Sequence, residues 1–250
     1  MEISDKIRQH KPKLQKKPMP LHTHTILNEG HTSLWVWQIS ETEQWFRSHL
    51  PDMTVPGHPK RRLQHLAGRF LLSQADADFP FHNIRITDHG RPYLEHGGMY
   101  FSISHSADMA AVILSRNHHV GVDLELMTPR VLKVAPRFLG VTERQWINES
   151  IGSMDFTSVN LNHHASMSLC TLLWSAKEAA YKWLGIPGLD FAADLEIEAF
   201  NPEQSGYIKT RFRKEGDFSF RIGYQSLDQG WLTWVNEPLS IHHPDIRDVG

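Results

Sequence analysis

Chemistry concentrates first in Gly121-Val122-Asp123-Leu124-Glu125. Residues two apart share a face of a strand. Val122 and Leu124 are therefore expected in the core, and Asp123 and Glu125 are expected to face outward together. Two carboxylates so placed suit a hard cation such as Mg²⁺, although the alternation also fits a half-buried strand with a solvated acidic face. A second set lies in Trp174-Ser175-Ala176-Lys177-Glu178-Ala179-Ala180-Tyr181-Lys182. Trp174, Glu178 and Lys182 fall at i, i+4 and i+8, one face of a helix. Glu178 would bring a third carboxylate to the cation, and Lys182 suits charge developing on a phosphate. A surface Glu–Lys pair would give the same spacing. Phe101-Ser102-Ile103-Ser104-His105-Ser106 offers hydroxyls, N–H groups and an imidazole where a tight turn could receive phosphate oxygens. Arg69 and Arg91 add bidentate forks for the same anion.

These groups need elements to position them. Leu34 to Ile39 reads as a buried strand, followed by a short helix from Glu41 to Leu50 with Ser40 as N-cap and Glu43 at N3. Leu63, Leu66, Ala67, Phe70 and Leu71 recur at helical spacing and carry Arg69 on a helix that begins at Lys60. Asp88-His89-Gly90-Arg91-Pro92 is a turn, and Met99–Ile103 with Met109–Leu114 forms a hairpin with Ser104 and His105 in its tip. The strongest helix runs from Met167 to Leu184, ending at Gly185 with Pro187 beyond. Its core stripe is Leu169, Leu172, Leu173, Ala176, Ala180 and Trp183. Short strands from Leu195 to Val235 close the chain. The order helix, strands, helix, strands occurs twice, which argues for an α+β fold rather than a doubly wound parallel sheet. The expected division is an N-terminal half, 1–117, with a loosely packed arm over 1–30, and a C-terminal half, 118–250, carrying the metal site. Ser150 to Asn162 reads as an exposed loop.

Composition sets the outer limits. Of 250 residues, 40% are apolar and 22% charged, enough apolar material for a core and too much for a disordered chain. A net charge of −2 provides no global field for nucleic acid or anionic membrane, and no apolar run is long enough to span a bilayer. The basic opening segment has no apolar stretch behind it, which argues against a secretory signal. Cys170 is the single cysteine, so it cannot form an internal disulfide and favours a reducing compartment, with the cytosol expected. The 17 histidines fall mostly in polar, loop-like contexts. His22 and His24 could bind zinc only with partners to which nothing in the sequence points.

Taken together, Ala67-Gly68-Arg69, Gly90-Arg91-Pro92, the serine–histidine hairpin, Gly121-Val122-Asp123-Leu124-Glu125, Arg137-Phe138-Leu139 with Glu143, and Trp174-Ser175-Ala176-Lys177-Glu178 with Lys182 resemble the 4′-phosphopantetheinyl transferases of the surfactin-synthetase-activating type. The resemblance runs from Lys60 to Gly188. It departs at Arg91, where many members carry lysine, and does not explain the 1–30 arm or the 150–166 loop. It implies a pseudo-two-fold pair of similar α+β subdomains, each a small antiparallel sheet packed with helices, with coenzyme A in the cleft between them. It implies a monomer that moves 4′-phosphopantetheine from coenzyme A to a serine of an apo acyl or peptidyl carrier protein, releasing adenosine 3′,5′-bisphosphate. By the same resemblance Asp123, Glu125 and Glu178 surround Mg²⁺. Arg69, Arg91, Ser104 and His105 hold coenzyme A, with Lys182 and the metal-bound Asp123 at its pyrophosphate. Glu178 and Lys182 carry the catalysis. Another Mg²⁺-dependent pyrophosphate-cleaving enzyme, or a carrier-binding module without activity, remains open at this point.

Overall fold

A computed structural model describes residues 21–27, 30–151, 163–214 and 217–238. Most of the expected arm and of the Ser/Asn-rich loop lies outside them. The N-terminal part contains β1 (Leu21–Leu27), β2 (Thr32–Gln38), α1 (Glu43–Arg47), α2 (Pro59–Ala75), β3 (Ile84–Ile86), β4 (Pro92–Leu94), β5 (Tyr100–Ser106) and β6 (Met109–Ser115). The C-terminal part contains β7 (Gly121–Leu126), α3 (Arg130–Phe138), α4 (Val141–Ile151), α5 (His163–Leu184), α6 (Phe191–Asp194), β8 (Leu195–Ile197), β9 (Ser205–Phe212), β10 (Phe218–Leu227) and β11 (Gly230–Val235). One sheet has the order β1-β2-β6-β5, the other β7-β11-β10-β9-β8, and every pairing is antiparallel. In each part the strand that precedes the helices pairs with the last strand of that part, β2 with β6 and β7 with β11. This is the α+β, twice-repeated plan expected from the order of elements.

Period-two alternation sorts the side chains of both sheets into layers. Leu34 and Val36 of β2, Ala111 and Ile113 of β6, Val122 and Leu124 of β7, and Leu232 and Trp234 of β11 share one apolar cluster between the sheets. Their alternate neighbours face the helices: Trp37, Ala110 and Val112 pack with Leu66, Phe70 and Leu71 of α2, while Trp231 and Val235 pack with α5. Each sheet is thus covered on both faces, and β7 is buried along Gly121–Leu124. This overturns one expectation. The face carrying Asp123 is turned not to solvent but to α5, and Asp123 is only 5% exposed.

The closeness of helix and strand is set by Gly121. A Cβ there would stand 2.1 Å from the Ala179 carbonyl oxygen and 2.7 Å from the Trp183 nitrogen. Only glycine lets α5 lie directly on β7. A second seam joins the two sheets. Ser102, Ser104 and Ser106 of β5 accept from the backbone N–H groups of Val122, Leu124 and Leu126 at 3.1, 3.1 and 3.4 Å. The two strands run in the same direction, with side-chain hydroxyls in place of carbonyls. The hairpin tip is correspondingly shorter than expected. Ser104 to Ser106 belong to β5, and only Ala107 (φ +48°) and Asp108 turn the chain. The cap of α1 also differs: Thr42, not Ser40, accepts from the Trp45 N–H at 3.2 Å.

Candidate active site

Helix α5 is buried on nearly every side. Among its residues from Leu169 onward only Trp174, Glu178, Tyr181 and Lys182 are partly open, the stripe the i, i+4, i+8 spacing predicted. Glu178 lies where two cavities meet. One, of about 790 Å³, is lined by the β3–β4 turn including Arg91, by Ser102 and Ile103 of β5, and by Glu178, Tyr181 and Lys182. The other, of about 760 Å³, is a groove lined by Glu125, by α3 from Arg130 to Phe138, by Trp174 and Glu178, and by Gly188 to Phe191. Both volumes are those of ordinary ligand sites.

Glu178 and Glu125 line the groove, and Asp123, which lines neither cavity, is tied to Lys182. Asp123 Oδ1 accepts from Lys182 Nζ at 2.8 Å and from Ser104 Oγ at 2.8 Å, and Lys182 Nζ also donates to the Val122 carbonyl at 3.0 Å. Asp123 Oδ2 is buried with no partner. Burial, reinforced by the Asp123 and Glu178 charges, pushes Glu125 up to about 7. Burial and the Asp123 charge push Glu178 up to about 7, with Lys182 opposing both shifts. Mutually repelling carboxylates with an orphaned oxygen fit a hard cation. The expected three-ligand cluster is nevertheless not assembled: among the described residues no three such groups converge on one point. Like charges resist convergence, and the Lys182 ammonium neutralises Asp123 in their place.

The cationic residues form two groups. Arg69 is 8% exposed, and no carboxylate of the described residues pairs with it; burial brings its guanidinium down to about 10. His65, four residues earlier on the same face of α2, is pulled down to about 4, by burial first and then by the Arg69 and His105 charges. His105 is lowered by desolvation and by Lys182, against the opposing pull of Asp123. Arg61, one more turn back along α2, also acts on His105. The Arg61–His65–Arg69 spacing is i, i+4, i+8, one face of the helix. Arg91 forms the other group. Burial lowers it to about 10, one guanidinium nitrogen stands 3.4 Å from His119 Nδ1, and the other terminal nitrogen is buried without a partner. A buried cation lacking a counter-charge is a place for an anion.

Ser104, expected at coenzyme A, has two partners within the protein. Its hydroxyl donates to Asp123 and accepts from the Leu124 N–H, and the residue is 7% exposed. Lys177 and Glu143 are marked by no local periodicity. They form a fully buried ion pair at 2.7 Å.

A family model of the 4′-phosphopantetheinyl transferase superfamily matches residues 119–235. The chain is similar to the 4′-phosphopantetheinyl transferase AcpT of Salmonella typhimurium, 38% identical over 84 residues, covering 32% of this chain and 43% of that protein. It is similar to enterobactin synthase component D of Salmonella typhi, 31% identical over 161 residues and covering 62% of each chain. It also matches the 4′-phosphopantetheinyl transferase gsp of Aneurinibacillus migulanus, 27% identical over 110 residues, 43% of this chain and 41% of that one. The matched parts thus span about half the length of these relatives. The matched residues 119–235 carry the carboxylate strand β7 and the long helix α5 of the site.

Proposed function

We propose that the chain is a Mg²⁺-dependent 4′-phosphopantetheinyl transferase of the surfactin-synthetase-activating type. It would move phosphopantetheine from coenzyme A to a serine of an apo acyl or peptidyl carrier protein. The observation that carries this reading is the meeting of a cation-lined cavity and a largely apolar groove at Glu178, beside the partnerless Asp123 Oδ2. A polyanionic donor enters on one side and a hydroxyl acceptor on the other. The twofold repeat within one chain supports the single-chain type, and a site completed by one chain supports a monomer. The cytosol, where both substrates would be met, is its proposed location.

In this reading Arg69, Arg91 and His105 hold the phosphates of coenzyme A, the 3′-phosphate above all, and Lys182 faces the pyrophosphate. Asp123, Glu125 and Glu178 would hold the cation, which neutralises pyrophosphate charge when bound. The acceptor serine oxygen attacks the phosphorus that bears pantetheine. As that O–P bond forms, the bond from the same phosphorus to the bridging oxygen breaks, and adenosine 3′,5′-bisphosphate leaves. The serine proton passes to the Glu178 carboxylate. Glu178 suits the base role because it lines both the donor cavity and the acceptor groove. Lys182 opposes the charge that grows on the phosphoryl oxygens.

The test is intact-mass measurement of apo carriers from fatty-acid and peptide synthesis after incubation with coenzyme A and Mg²⁺. A gain of one phosphopantetheine, absent with Glu178→Gln, is the expected result. Tight coenzyme A binding with no gain on any carrier would replace this reading with a binding module.

A further inference from the structure

The groove that reaches Glu178 is walled by two separate segments, α3 on one hand and Gly188 to Phe191 on the other. One buried side chain holds both. Lys177 precedes Glu178 but points to a different side of α5, and its exposure is 0%. Its Nζ donates to the Phe138 carbonyl at the end of α3, to the Phe191 carbonyl at the start of α6, and to the Leu195 carbonyl, each at 2.8 Å. Its fourth partner is Glu143 Oε2 at 2.7 Å. Glu143 in turn accepts from the Gly140 N–H at 2.7 Å and the Ile197 N–H at 2.9 Å. An ammonium has three N–H bonds, so four acceptors share them, and every one is anchored to the backbone or to Glu143. Phe138 and Phe191 both line the groove, and their rings flank Trp174 at 5.1 and 5.7 Å. None of the four partners lines the cation-lined cavity on the other side of Glu178.

We propose that Lys177 is a positioning residue for the acceptor: its ammonium clamps the two walls of the groove to α5 and so fixes the width of the opening through which the serine-bearing partner reaches Glu178. This rests on the transferase reading for its substrate but not for its geometry. A purely apolar side chain would leave three buried carbonyls and a carboxylate unanswered, and the walls would part to reach water. The donor cavity would keep its shape, because no bond of the clamp touches it.

The test uses the full chain carrying Lys177→Met with Glu143→Gln, which removes the clamp without stranding a buried charge. Hydrogen exchange should rise in peptides covering 128–139 and 188–195 and stay unchanged in the β3–β4 hairpin. The acceptor kcat/KM should fall by about 10²-fold, the loss expected of a misplacement of about 1 Å. Coenzyme A affinity should stay within about twofold, the scatter of a remote substitution. Should the double variant fail to fold, Lys177→Gln, which retains an amide donor, is measured in the same way. A folded variant with wild-type exchange in both wall segments overturns the clamp. So does an equal loss in coenzyme A binding and acceptor turnover, which would make the pair a general prop. Failure of the wild type to modify any carrier overturns the transferase reading alone, because the exchange measurement still judges the clamp.

Discussion

Replacing Ser104 by alanine separates two uses of the same hydroxyl. If it received a phosphate of coenzyme A, its loss would weaken the ligand and leave the fold unchanged. The structure gives it two internal partners, Asp123 Oδ1 at 2.8 Å and the Leu124 N–H at 3.1 Å, inside a side chain that is 7% exposed. The alanine variant loses a bond to a charged group, about 1.5–3 kcal/mol, and orphans a buried amide, about 1–3 kcal/mol. The two overlap because the neighbouring strands can shift, so about 3 kcal/mol is expected in total. Ser102 makes one such bond, to Val122, and its alanine variant should cost about 1–2 kcal/mol. Ser106, partly exposed and at 3.4 Å from the Leu126 nitrogen, should cost under about 1 kcal/mol. Urea unfolding followed by tryptophan fluorescence measures the series, and calorimetry measures coenzyme A affinity for each variant. The expected order of destabilisation is Ser104, Ser102, Ser106. A Ser104→Ala protein within about 0.5 kcal/mol of wild type that binds coenzyme A tenfold more weakly would refute the seam and restore the phosphate role.

Three further outcomes follow from the charges. Glu125 and Glu178 are raised from 4.5 to about 7, so between those values the folded protein keeps protons that the unfolded chain releases, and stability falls as pH rises through that window. His65, lowered from 6.5 to about 4, acts the opposite way over its own range, with stability rising as pH increases. Cation-free protein should therefore melt lower at pH 8 than at pH 6.5. Mg²⁺ should raise Tm more at pH 8, and Glu178→Gln should flatten the slope; no difference in the Mg²⁺ effect would count against the carboxylate site. Arg69→Met should weaken coenzyme A by about one to two decades, the worth of a charge-assisted bond, and 3′-dephospho-coenzyme A far less. The same variant should melt no lower than wild type, because it removes a buried cation without a counter-charge; equal losses for both ligands would end the 3′-phosphate assignment. Gly121→Ala should lower Tm and coenzyme A turnover together, since the added methyl meets the Ala179 carbonyl at 2.1 Å and drives α5 and Lys182 off β7. A variant with wild-type melting and turnover would show that this close approach is dispensable.

Local periodicity made much of this protein readable from its sequence. Spacing of two and of four residues placed Asp123 with Glu125 and Trp174 with Glu178 and Lys182, because those repeats are properties of one strand and one helix. Tertiary structure decided what each face meets. Alternation says that Asp123 opposes Val122 but not whether water or a helix lies beyond, and α5, admitted by Gly121, turned an expected solvent face into a buried one. Ser102, Ser104 and Ser106 show the same limit: a row of hydroxyls on a strand is identical in sequence whether it greets a phosphate or the N–H groups of β7. Lys177 and Glu143 are far apart along the chain, and nothing local marks either for burial. Only the convergence of α3, α4, α5, α6 and β8 on one point makes a charged lysine the group that satisfies three carbonyls at once.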